Sequence, residues 1–255
     1  MIRSISATVM ALSLSLTPMA FAQAVDGSKF RHVEEGTWYH PVEPDGLIYN
    51  GADEQEVFRI LTRIETATGT RSNPNQPDTI VEYGPGNWTY EFSKAGDAAM
   101  ARGDFKAAVI YYHTAAAPHT GTPEQDQALE NARLAYAKAM ENVAGTYQEV
   151  QIAHAGKSFT GHLHLPAGDG PFPVLVMSNG SDKSSVVTQT YYTEYLQPQG
   201  IAFLTLDIPG MGRSAAYDVT DGGTEKLHVA AANWAMADPR LDASALAAMR
   251  RRGSS

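Results

Sequence analysis

Apolar and polar positions change their period once along this chain, near Gly145, and the change divides it in two. Before that point the spacing is helical. In "DEQEVFRILTRIETAT" (53–68), Val57, Ile60, Leu61 and Ile64 recur on one face, which predicts an amphipathic helix. "WTYEFSKAGDAAMARGDFKAAVIYYHTAAAP" (88–118) predicts a helical hairpin. Ala95, Ala98, Ala99 and Met100 precede a break at Gly103-Asp104, and Phe105, Ala108, Val109, Tyr112 and Ala116 follow it. The small residues let the two backbones approach closely. "TPEQDQALENARLAYAKAMENVA" (122–144) predicts a third helix with a stripe of Ala128, Ala132, Ala135 and Ala139. Thr122 can cap it and Pro123 suits its first turn. Residues 25–52 and 69–87 hold enough Gly, Pro and Asn to read as irregular.

After Gly145 the period shortens. "TYQEVQIAHAGKSFTGHLHLP" (146–166) alternates around Gly156, which predicts an antiparallel strand pair. "PFPVLVMSNG" (171–180) and "IAFLTLD" (201–207) are short apolar runs of the kind buried on both faces of a sheet. "SALAAM" (244–249) predicts a third such strand. Helices are expected at 188–200, ended by Gly200, and at 223–238. Strand, helix, strand, helix, strand with short links implies a doubly wound parallel sheet. The expected organisation is a helical domain at 53–144 and an α/β domain at 146–249.

The N-terminus stands apart. Arg3 precedes an apolar run from Ala7 to Leu16, then Pro18 and the small-residue sites Ala20-Phe21-Ala22 and Ala22-Gln23-Ala24. This is the pattern of a secretory signal peptide over 1–24, and it predicts export to the periplasm or beyond. The run is too short for a membrane span of about 20 residues. With the signal removed, no span remains. A net charge of −9 argues against a nucleic-acid partner, which needs a basic face. There is no cysteine, so no disulfide forms. No cofactor motif is present, and oligomeric state is not written in the pattern.

Three turns at strand ends narrow the fold. They are "VMSNGSD" (176–182), "LDIPGMGRS" (206–214) and the Asp-Pro turn opening "DPRLDASALAAM" (238–249). In this order, and with "ARGDFKAAVIYYHTAA" upstream, the chain resembles the fermentation–respiration-switch esterase and dihydropseudooxynicotine hydrolase-like family of the α/β hydrolases. The resemblance covers roughly 50–249. It implies an N-terminal helical cap followed by the first half of an α/β-hydrolase doubly wound sheet, and a small-molecule ester-type substrate for a full-length form. It also implies a task for the loop after the first buried strand. Ester hydrolysis places negative charge on an oxygen, which preorganised N–H groups must face. In α/β hydrolases one donor comes from this loop, here Gly180 and Ser181. The same residues would equally serve a plain strand-to-helix turn with Asp182 as cap. The glycines of "PGMGRS" suit a tight turn beside the site.

The resemblance also predicts a G-x-S-x-G nucleophile turn after the third buried strand. Arg250-Arg251-Arg252-Gly253-Ser254-Ser255 stands there instead, and no G-x-S-x-G occurs in the 255 residues. The expectation is a hydrolase-derived chain whose 250–255 tail interrupts the domain and whose catalytic triad is absent, so that it is inactive. Ser254 and Ser255 have no following base. Two non-esterase alternatives remain at this point. One is a periplasmic interaction module, since 88–140 resembles a tetratricopeptide-type unit. The other is a C–C bond hydrolase of the same fold. His162 and His164 share a strand face and could ligate a metal, but no third ligand is visible, so no metal is expected. His228 reads as a packing or surface histidine of its helix. Tyr111, Tyr112 and His113 read as hairpin packing or as the cap side of a pocket.

Overall fold

The computed structural model describes residues 24–26, 44–68, 82–117, 119, 121–180, 183–215, 217–218 and 223–250. The expected signal peptide, apart from Ala24, and residues 251–255 lie outside the described residues.

Among the described residues five helices precede the sheet. α1 (Pro44–Tyr49) falls inside the stretch expected to be irregular. It is too short for periodicity to show, and its sequence signals are only Pro44 at its start and Asp45 in its first turn. α2 (Glu54–Thr68) starts where Asp53 Oδ1 accepts from Glu56 N at 2.7 Å. α3 (Trp88–Ala101) and α4 (Phe105–Ala115) form the expected hairpin, with Asp104 capping α4 by accepting from Ala107 N. They pack tightly at Gly96, where a Cβ would come within 2.6 Å of the Tyr112 ring. α5 (Pro123–Met140) is capped by the Thr122 hydroxyl, as its sequence predicts, and its alanine stripe is buried throughout.

The strands are β1 (Thr146–His154), β2 (Lys157–Leu165), β3 (Phe172–Ser178), β4 (Ala202–Leu206) and β5 (Leu241–Arg250). The β1–β2 turn uses Ala155 and Gly156, both at positive φ. All five strands join one sheet in the order β1-β2-β4-β3-β5. The antiparallel pair is attached to the parallel strands through β2 against β4. β3 runs parallel to both β4 and β5.

Between β3 and β4 a single helix was expected over 188–200. The chain instead makes a short α6 (Gln189–Tyr191), a π turn (Tyr192–Leu196) and a 3-10 turn (Gln197–Gln199), stopped by Gly200 at φ 69°. Pro198 explains the change, because it has no N–H to donate and its ring crowds the preceding turn. α7 (Gly223–Ala237) leads from β4 to β5.

The two crossovers lie on opposite faces of the sheet. Tyr192 and Leu196 join the helices α2–α5 in one apolar cluster with Met177 and Phe203, so the helical segment and one sheet face share a core. Leu227, Ala231 and Ala235 of α7 cover the other face with Val174, Val176 and Leu204. This is the doubly wound α/β arrangement the sequence predicts. β4, in the middle, is buried at all five positions. β5 departs from expectation. It is longer than 244–249, and among the described residues it pairs only with β3, so Met249 is 40% exposed rather than buried.

Candidate active site

The parallel strands β3, β4 and β5 end on the same edge of the sheet, and the crossovers leaving β3 and β4 cover opposite faces. That geometry opens a crevice beyond the strand ends, where ligands of α/β sheets bind. Ser178, the last residue of β3, is paired in register with Leu206 of β4 and with Arg250 of β5. The loop after β3 therefore emerges beside the end of β5. Asn179 and Gly180 are buried in it. Asn179 Nδ2 donates to Ser184 O at 2.8 Å, and Lys183 N donates to Gly180 O at 3.4 Å. Ser181, the other expected oxyanion donor, lies outside the described residues, as does Asp182.

Asp207 follows β4 and is 5% exposed. Its carboxylate clasps two loops. Oδ1 accepts from Ser185 N at 2.6 Å, in the loop after β3. Oδ2 accepts from Arg213 N at 3.0 Å, in the loop after β4. The glycines of "PGMGRS" do serve a tight turn, and Gly212 has a sharper reason. It sits at φ 44°, and a Cβ there would fall 2.3 Å from Asp207 Oδ2.

On the helical side of the sheet, His162 and His164 share a face of β2, but each is taken by a tyrosine. Tyr136 of α5 and His164 Nε2 lie 2.7 Å apart. His164 Nδ1 is 3.0 Å from Phe203 O, a pure acceptor, so Nδ1 carries the proton and Tyr136 donates to Nε2. Tyr147 Oη lies 2.8 Å from His162 Nδ1. Burial holds both imidazoles in the neutral form. It lowers His164 to about 3, and it lowers His162 against the opposing pull of Asp207. The same burial pushes the Tyr136 and Tyr147 phenols up, so both are neutral O–H groups. Among the described residues no three His, Asp or Glu side chains gather as a metal site.

A cleft of about 230 Å³ lies between α5 and the loops after β3 and β4. Leu129, Glu130 and Arg133 line it from the helix, His162 from β2, and Ser184, Asp207 and Arg213 from the loops. Arg133 holds Glu130 and Glu149, and Arg213 Nη2 reaches Glu130 at 2.9 Å across the cleft mouth. The two arginines, Arg133 and Arg213, depress the Glu130 carboxyl, chiefly through the Arg133 hydrogen bond.

The other residues singled out in the sequence lie elsewhere. Tyr111 Oη accepts from Asp53 N at 2.9 Å and Tyr112 Oη donates to Asp97 at 2.8 Å, so both pack the helical segment. His113 is on the same helix. His228 is half-buried on α7. Ser254 and Ser255 lie outside the described residues. The Asp207 clasp and the two Tyr–His pairs were not anticipated. The available signal was "HLH" in a strand otherwise made for burial, since buried imidazoles demand partners.

A family model described as Esterase FrsA-like matches residues 12–253. The chain belongs to the FrsA-like esterase family. Esterase FrsA of Salmonella typhi is 33% identical over 210 residues, covering 77% of this chain and 50% of that protein. Esterase FrsA of Salmonella newport (strain SL254) matches with the same identity and coverage. The chain thus spans about half the length of the curated FrsA relatives it matches. Among solved structures, 2,6-dihydroxy-pseudo-oxynicotine hydrolase superposes with a TM-score of 0.58 at 18% identity, over 81% of this chain and 57% of that one. AbyA5 superposes with a TM-score of 0.53 at 19% identity, over 76% and 54%. At such identity the likeness speaks for the fold, which is that of the α/β hydrolases. In this FrsA-like chain the helices α1–α5 pack against one sheet face, and the crevice lies where those helices and the strand ends meet.

Proposed function

We propose that these 255 residues supply the helical cap and the oxyanion side of an exported serine hydrolase of the carboxylesterase type. One observation carries this reading: the register of Ser178 with Arg250 sets the Gly180 loop beside the end of β5. In α/β hydrolases the nucleophile turn follows a strand, and an N–H from a neighbouring loop faces the oxyanion. The backbone N–H groups at Gly180 and Ser181 take that second part. A serine presented just past β5 would attack the ester carbonyl, and the developing oxyanion would settle between that turn and the Gly180 loop. The G-x-S-x-G turn is not among the residues of this chain, so the 255-residue protein is proposed to be inactive by itself.

The test is a pair of assays. The purified 255-residue protein should release no p-nitrophenol from p-nitrophenyl butyrate, and release that a serine-directed phosphonate abolishes would overturn its inactivity. The gene is then read past the Met249 codon in all three frames. A frame with G-x-S-x-G followed by an acidic residue and a histidine should give a longer, phosphonate-sensitive esterase. Absence of such a frame, or an inactive longer product, overturns the esterase reading. Export is supported by the composition of residues 1–24, and mature protein beginning at Val25 in a periplasmic fraction is the expected result.

A further inference from the structure

The cleft under Arg213 holds polar groups that the esterase chemistry does not use. His162 is 1% exposed, its Nδ1 is taken by Tyr147, and its Nε2 has no partner among the described residues although the ring borders the cleft. Burial keeps the ring neutral. Arg213 is 43% exposed at its side chain, and among the described residues its guanidinium makes a single hydrogen bond, Nη2 to Glu130. Glu130 is meanwhile held by three hydrogen bonds from Arg133. The carboxylates of the cleft are all engaged. Asp207 accepts two backbone N–H groups, Asp126 faces His119 at 2.9 Å, and Glu130 lies between two arginines. What remains over among the described residues is donor capacity: the free edge of the Arg213 guanidinium and the Ser184 hydroxyl, which line the cleft together with His162. Leu129 and Val186 give the same cleft an apolar wall.

We propose that this cleft takes the carboxylate-bearing, short aliphatic arm of a small-molecule ligand, with Arg213 as its charge-recognising residue and His162 Nε2 at its floor. A planar guanidinium with an open edge matches a carboxylate in two parallel hydrogen bonds, whereas a neutral amide offers one acceptor oxygen. The apolar wall receives the alkyl part. The inference deepens the esterase reading, on which it rests for the identity of the ligand as substrate or product: an ester with a carboxylate on one arm would be placed with that arm toward Arg213 and its ester toward the Gly180 loop.

Binding is read on the 255-residue protein, without turnover. Butyrate is the probe and butyramide its neutral counterpart. Butyrate should shift the His162 imidazole resonances saturably and butyramide should bind at least tenfold more weakly. Arg213→Gln should weaken butyrate at least tenfold and leave butyramide unchanged, while Arg213→Lys should restore part of the affinity. Arg213 is half-exposed, so an unchanged circular dichroism spectrum is the control for folding. Equal shifts with both probes, no shift with butyrate, or unchanged butyrate affinity in Arg213→Gln would each overturn the carboxylate site. Those results leave the esterase reading untouched, because that reading fails only through the longer gene product.

Discussion

Tyr136 and His164 meet through a 2.7 Å hydrogen bond that joins α5, the last helix before the sheet, to its second strand. Both residues are fully buried. Tyr136 also meets Tyr147 edge-on, and His164 lies against Tyr192 and Phe203, so the pair sits inside an aromatic cluster. The helical segment is thereby keyed to the sheet by a directional contact as well as by apolar burial.

Tyr136→Phe keeps the ring and removes the hydroxyl, leaving His164 Nε2 buried without its donor. The expected loss is about 1–3 kcal/mol, the usual penalty for orphaning a buried polar atom. Urea unfolding should show it as a lower midpoint. Tyr49→Phe, at an exposed hydroxyl bonded to Glu194 and Tyr195, should change the midpoint far less.

Acid should destabilise the protein in a defined window. His164 is lowered from 6.5 to about 3 by burial, so the unfolded chain takes up its proton near 6.5 and the folded chain does not. The unfolded state then binds more protons, and stability falls as pH drops. This contribution is whole above 6.5 and is lost progressively on the way down to about 3. At about 1.4 kcal/mol per unit, the loss at about pH 5 is on the order of 2 kcal/mol. His162 acts in the same direction. Glu130 and Asp238, whose carboxyls are lowered by hydrogen bonds from Arg133 and Arg240, add their losses only below the usual carboxylate range. Unfolding midpoints measured from neutral to mildly acidic pH should slope downward, and His164→Gln should flatten that slope.

Gly212→Ala puts a Cβ against the Asp207 carboxylate and a side chain at positive φ. A cost of about 1–3 kcal/mol is expected for the backbone conformation alone. The specific signature is faster amide exchange at Ser185 and Arg213, the two N–H groups that Asp207 holds. Asp207→Asn should speed exchange at one of them, because an amide offers a single oxygen.

The β5 edge offers its unpaired backbone to other chains, since among the described residues β5 is paired on one side only. The purified 255-residue protein should self-associate with rising concentration. Ala247→Lys, at an exposed position of that strand, should lower the mass measured by light scattering. An unchanged mass profile would remove the edge as the cause.

Local signals carried most of the elements. Thr122-Pro123 marked the start of α5, and the alternation around Gly156 marked the β1–β2 hairpin, because caps and turns are written in adjacent residues. α1 was missed because six residues hold no readable period. The π turn at Tyr192–Leu196 was missed because periodicity distinguishes helix from strand but does not count hydrogen-bond spacing. The joining of both halves into one sheet rests on Gly161–His164 meeting Phe203–Leu206, a pairing about forty residues apart. The site followed the same rule. The Gly180 turn was legible from its neighbours, whereas the Asp207 clasp spans 22 residues to Ser185 and the Tyr136–His164 pair spans 28. Nothing local in "LDIP" distinguishes a clasping aspartate from an ordinary strand-end one.

The Asp207 clasp also limits how this site can be redesigned. One carboxylate fixes the loop after β3 and the loop after β4 at once, and Gly212 leaves no slack between them. A specificity loop taken from a relative could not be grafted at one strand end alone. The two segments, 179–188 and 207–215, would have to be exchanged as a matched pair, and a library that varies only one of them would mostly sample loops that no longer meet at Asp207.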